Sequence, residues 1–125
     1  MAEVVPGKLF VGTVHTARSL KWLNRKGIKK IVNVSCVYND KLTQCEHEIE
    51  ELRIDIEDFL WSRILKSIDL VDKFIGGNGK DHPPVLIHCF AARSRSVTFV
   101  TSCLMKRYRM GFVEALVKVE KLKNL

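Results

Sequence analysis

Apolar and polar positions along this chain change period several times, and each change predicts an element. Lys8-Leu-Phe-Val-Gly12 is a short apolar run ending in glycine, as a strand entering a turn would. Thr16 is suited to cap a helix that turns Leu20 and Leu23 inward and stops at Gly27. Ile31-Val-Asn-Val34 reads as a buried strand, residues 35–48 as a polar loop or a loop with a short helix, and Leu52-Arg-Ile-Asp-Ile56 as a strand with one wet face. From Ser62, Ile64, Ile68, Val71 and Ile75 recur at helical spacing and Gly76-Gly77 closes the segment. Pro83-Pro84 restarts the chain in extended form and leads into Val85-Leu-Ile87, fully apolar and therefore expected near the middle of a sheet. Two more helices follow, one turning Val97, Val100, Leu104 and Met105 inward and one turning Ala115, Leu116, Val119 and Leu122.

Strands alternating with helices define an α/β class, with a central, mostly parallel sheet of four to five strands flanked by helices in three layers. The 125 residues, 46% hydrophobic and 28% charged, suit one globular domain over residues 1–125. No apolar run is long enough to span a bilayer, and the N-terminus lacks the basic start and apolar stretch of a secretory signal. An intracellular location, cytoplasm or nucleus, is expected, with Cys36, Cys45, Cys89 and Cys103 as free thiols. Cys45 and His47 have no matching second half, so the sequence suggests no metal site.

In open α/β sheets the functional crevice lies outside the carboxyl ends of the strands, here at His88-Cys89-Phe90-Ala91-Ala92-Arg93-Ser94-Arg95-Ser96. A loop between a buried strand and a helix start can aim backbone N–H groups and the positive helix end at one dianionic phosphate. The same field lowers a cysteine pKa from about 8.5 to roughly 3.5–7.5, which makes Cys89 a candidate nucleophile. Arg95, six residues on, offers a planar guanidinium to grip two phosphate oxygens. The Ser96 hydroxyl is placed to donate to the sulfur when it leaves, and His88 to orient the loop. A proton donor must come from outside the loop, and Asp55, Glu57 and Asp58 all qualify by pattern.

These residues resemble the signature of cysteine-based protein phosphatases, CxxxxxR preceded by His88 and followed by Ser96, and Ala91 with Ser94-Arg95-Ser96 resembles the dual-specificity branch. Leu9-Phe-Val-Gly12, Gly27-Ile28 with Ile31-Val-Asn-Val34, Arg53-Ile-Asp-Ile-Glu-Asp58 and Leu104-Met105 extend the resemblance across the chain. The resemblance implies that Cys89 forms a cysteinyl-phosphate, that Arg95 and the loop Phe90 to Ser94 hold the phosphoryl oxygens, and that Asp58 is the general acid. It implies no cofactor and no metal, a phosphorylated protein as substrate, and a shallow pocket accepting phosphoserine, phosphothreonine and phosphotyrosine. Two departures stand out: Ala92 occupies a usual glycine position, and the family's last helix is not evident before Leu125.

The net charge of +7 suits an anionic partner. Arg18, Lys21 and Arg25, expected on one helix face with Lys26, Lys29 and Lys30 following, read first as a solvated surface. Arg93 reads as a loop residue facing solvent. Two alternatives to a protein phosphatase stay open: a phosphate-binding pseudophosphatase, suggested by Ala92, and a phosphatase of lipid or RNA phosphates, suggested by Arg93 and the charge, although a nucleic-acid partner is disfavoured. Trp22 and Trp61 are expected to be packing residues.

Overall fold

A computed structural model describes residues 2–35, 47–55, 61–90 and 94–123. Its five strands are β1 (Ala2–Val5), β2 (Leu9–Gly12), β3 (Lys30–Asn33), β4 (Glu50–Arg53) and β5 (Val85–His88), ordered β1-β2-β5-β3-β4 in one sheet. β5 pairs in parallel with both β2 and β3, and β4 continues the parallel set, while β1 folds back antiparallel on β2. The apolar run Val85–Ile87 thus takes the central position expected of it.

Alternation on the strands divides the core into two layers. Leu9, Val11, Val32, Val85 and Ile87 face a cluster completed by α3 (Trp61–Ile75), α4 (Ser94–Tyr108) and α5 (Phe112–Lys123). Phe10, Ile31 and Leu86 face the other way, against α1 (Val14–Ala17) and α2 (Leu20–Lys26). There the Trp22 ring meets Phe10 edge to face, centroids 5.5 Å apart, which confirms its packing role. All four β5 residues are buried, and full burial of each aliphatic side chain contributes about 1.5–3 kcal/mol.

Four details depart from the sequence reading. β1 was not anticipated: only Val4 in it is fully buried, and its pairing shifts register between Glu3 and Val5. The single helix expected from Thr16 to Gly27 is two. Thr13 caps α1, accepting from the His15 and Thr16 backbones while the Thr16 hydroxyl accepts from Thr13 N, and Ser19 caps α2. Gly27 does end α2, with φ +66°. β4 covers residues 50–53, starting two residues before the expected 52–56 strand, and the last bond to β3 runs from Ile54 N to Asn33 O at 2.9 Å, while Ile56 lies outside the described residues. On α4, Met105 is 39% exposed, rotated about 100° from Leu104 to the helix flank, whereas Val97, Phe99, Val100, Cys103 and Leu104 point inward.

The basic stretch is also sorted. Arg18 ends α1, apart from Lys21 and Arg25 on α2, and all three are exposed. Lys26 pairs with Glu3 at 3.5 Å, and Lys30 Nζ donates to the Phe74 and Ile75 carbonyls at the end of α3. Behind α3 and α4, the nearly buried Arg107 donates to Asp72 Oδ1 at 2.8 Å and to the Asp72, Gly76 and Gly79 carbonyls, tying the two helices and the following turn together. No helix among the described residues is long and apolar enough to cross a membrane.

Candidate active site

Cys89 comes directly after the central strand, and α4 begins at Ser94, so the predicted strand-loop-helix context is present. Cys89 is 5% exposed and Ser96 fully buried in the first turn of α4. Their Sγ and Oγ atoms are 3.1 Å apart. Either atom can donate in the neutral pair, but once the sulfur is a thiolate only the hydroxyl carries a proton, so Ser96 then donates. Arg95 lies half-buried beside it on α4, and Phe90 is 64% exposed at the start of the loop. Ala91, Ala92 and Arg93, and the side chain of Ser94, lie outside the described residues, as do Glu57 and Asp58. Asp55 is exposed just beyond the end of β4.

His88 is buried on the α1 side of the sheet, in register with Gly12 on β2 and Asn33 on β3. Burial pushes its pKa down to about 4, the positive charge of Arg18 adds to this, and contact with the Cys89 backbone offsets part of it. Neither ring nitrogen makes a well-formed hydrogen bond to a described residue. His88 is therefore a neutral, packed ring at physiological pH.

Two supports were not legible in the sequence. A Cβ on Gly12 would lie 2.9 Å from Thr16 Cβ and 3.0 Å from its Oγ1, so glycine is what lets the α1 capping box approach the row containing His88. Asn33, 1% exposed, accepts from Ser35 N at 2.9 Å and Ser35 Oγ at 2.5 Å and donates to Glu51 at 3.3 Å. It braces the carboxyl edge of the sheet next to the site; an asparagine within an apolar strand was the available signal.

The other thiol differs in kind. Cys103, buried on α4, has its pKa pushed up to about 12 by loss of solvation, with Asp72 adding to the rise and Arg107 opposing it. Neither Cys89 nor Cys103 forms a disulfide, and Cys36 and Cys45 lie outside the described residues.

A cysteine directly after the central strand, with an arginine-serine pair in the first turn of the helix that follows, has the residue types and order that suit a phosphate-binding loop. Residues 9–124 match the model of the dual specificity phosphatase catalytic domain, and the chain belongs to that family. It is 32% identical over 116 residues to the tyrosine-protein phosphatase yvh1 of Schizosaccharomyces pombe, covering 93% of this chain and 34% of that protein. With dual specificity protein phosphatase 1B of Arabidopsis thaliana it shares 30% identity over 120 residues, 93% of this chain and 67% of that one. The crystal structure of the human tyrosine phosphatase-like serine/threonine/tyrosine-interacting protein superposes with a TM-score of 0.80 at 25% identity, covering 99% of this chain and 84% of that one. The chain spans half the length or less of several curated relatives it matches.

Proposed function

We propose that this chain is a protein phosphatase that hydrolyses phosphotyrosine and phosphoserine or phosphothreonine through a cysteinyl-phosphate. The observation that carries the reading is the Cys89–Ser96 pair at the junction of the central strand and α4; family membership supports it. The Cys89 thiolate attacks phosphorus and the bond to the leaving oxygen breaks, with Asp58 supplying the proton that oxygen needs. Arg95 and the amides of loop 90–94 hold the phosphoryl oxygens, and the positive end of α4 opposes their charge. Water then attacks the phosphocysteine, giving a proton back to Asp58, while Ser96 donates to the departing sulfur. His88 fills the core under the loop as a neutral ring.

A second reading is a phosphate-binding protein that recognises phosphoproteins without turnover. Ala92 and the phosphatase-like interacting protein among the similar folds motivate it. Hydrolysis of a small aryl phosphate by the wild type and by Cys89→Ser separates the two. We expect turnover in the first and none in the second, whereas phosphopeptide binding without any turnover in the wild type supports the adaptor. A panel of phosphopeptides, phosphoinositides and triphosphorylated RNA sets the substrate class, with peptides expected to be preferred.

A further inference from the structure

Of the five asparagines, Asn24, Asn33, Asn39, Asn78 and Asn124, only Asn78 precedes a glycine. The carbonyl carbon of an asparagine side chain is open to attack by the backbone nitrogen of the next residue. A side chain on that next residue hinders the approach, and Gly79 has none. Asn24 precedes Arg25 inside α2, and Asn33 precedes Val34, whose N–H is engaged by His88 O at 2.8 Å. Asn39 and Asn124 lie outside the described residues.

Asn78 and Gly79 belong to the turn that follows α3. Asn78 N donates to Asp81 O at 3.1 Å and Asp81 N to Asn78 O at 2.8 Å, so Gly79 and Lys80 form a two-residue loop, with Gly79 at φ +51°. Residues 77–81 are all exposed. Neither the Asn78 side-chain amide nor Gly79 N has a hydrogen-bond partner among the described residues. The carbon to be attacked and the attacking nitrogen are thus both free of competing bonds. The bond from Asp81 N to Asn78 O also draws electrons from the peptide group whose N–H must ionise.

The turn is docked on α4. Arg107, 8% exposed, donates through Nη1 to Gly76 O at 2.6 Å and to Gly79 O at 3.2 Å, while its Nε and Nη2 hold Asp72 of α3. The path of the main chain at Gly79 is therefore felt where α3 meets α4.

We infer that Asn78-Gly79 is a site of spontaneous deamidation whose isoaspartyl product releases the turn from Arg107. Gly79 N gives up its proton and bonds to Asn78 Cγ, the Cγ–Nδ2 bond breaks, and ammonia leaves a succinimide ring. Water opens the ring at either carbonyl, giving aspartate or isoaspartate. In isoaspartate the carbonyl that accepted from Asp81 N has left the main chain as a carboxylate, and the side-chain CH2 has entered it. Gly79 then stands one bond further along, so the Asn78–Asp81 bridge and the Gly79–Arg107 contact cannot both persist.

The test holds the wild type in warm, mildly alkaline buffer and follows each asparagine by peptide mapping that resolves aspartate from isoaspartate. Conversion at Asn78 should outpace that at Asn24 and Asn33 by at least about tenfold and should accelerate as pH rises. Isoaspartyl protein, separated by ion exchange, should melt about 3–6 °C below fresh protein. N78D carries the added charge on an unaltered main chain and should melt within about 2 °C of wild type. An intact Asn78, or conversion only after unfolding in urea, would overturn the site. Equal melting of isoaspartyl and fresh protein, or N78D melting as low as the isoaspartyl form, would overturn the release from Arg107.

Discussion

Ser96 Oγ stands 3.1 Å from Cys89 Sγ, reaching from the first turn of α4 to the residue that ends the central strand. In the proposed mechanism negative charge develops on sulfur as the phosphocysteine breaks down, and a hydroxyl there stabilises it. Ser96→Ala should therefore slow the second step more than the first. With roughly 1.5–3 kcal/mol for a hydrogen bond to a charged group, kcat should fall about 10- to 100-fold. A burst of leaving group followed by a slow steady state, seen by rapid mixing, is the expected signature. Equal slowing of both phases would remove Ser96 from that role.

The two described thiols should react very differently. Iodoacetamide near neutral pH should alkylate Cys89, with inorganic phosphate slowing the reaction, and should leave Cys103 unmodified until denaturant is added. The pKa of about 12 at Cys103 leaves almost no thiolate near neutral pH. Peptide mapping by mass spectrometry reads both sites, and native-state labelling of Cys103 would show that α4 opens locally.

His88 should make the fold sensitive to acid. Its folded pKa, about 4, lies below the ordinary 6.5, so folding favours the neutral ring. Above pH 6.5 it contributes no slope. As pH falls from 6.5 towards 4 the unfolded chain takes up a proton that the folded chain refuses, and stability drops by on the order of 3 kcal/mol. Urea midpoints of the wild type and His88→Asn between pH 7 and 4 check this: the variant, lacking the titrating ring, should show the shallower profile. Parallel profiles would mean that His88 is protonated without cost.

Gly12→Ala should destabilise the protein by about 1–3 kcal/mol, because the added methyl meets the Thr16 side chain inside the α1 capping box. Thermal or urea unfolding measures it. Since Gly12 is in register with His88, the remaining folded protein should also lose aryl phosphate turnover. A variant as stable and active as wild type would show that Thr16 moves aside freely.

The long, periodic elements could be read from sequence because one physical demand fixed each. Ile64, Ile68, Val71 and Ile75 announce α3, and the uninterrupted Val85-Leu-Ile87 announces a strand covered on both faces. Where several residues could meet the same demand, the sequence was ambiguous. Thr13, Thr16 and Ser19 can each cap a helix, and the choice depends on how closely Thr16 may approach Gly12 in the folded chain. β1 escaped notice because an edge strand with one fully buried side chain has almost no pattern. Cys89, Arg95 and Ser96 stood out in the sequence because phosphate binding demands residue type and order together, and the structure brings Cys89 and Ser96 into contact. The supports at Gly12 and Asn33 were not, since their work is done across strands.

Cys89 hangs from the strand that has neighbours on both sides in parallel register. Fraying at either border of the sheet, β1 or β4, leaves the β2-β5-β3 ladder closed. The position of Cys89 is thus insulated from the cheapest fluctuations of the fold, and the Leu86 and Ile87 amides should exchange with solvent only at the rate of complete unfolding.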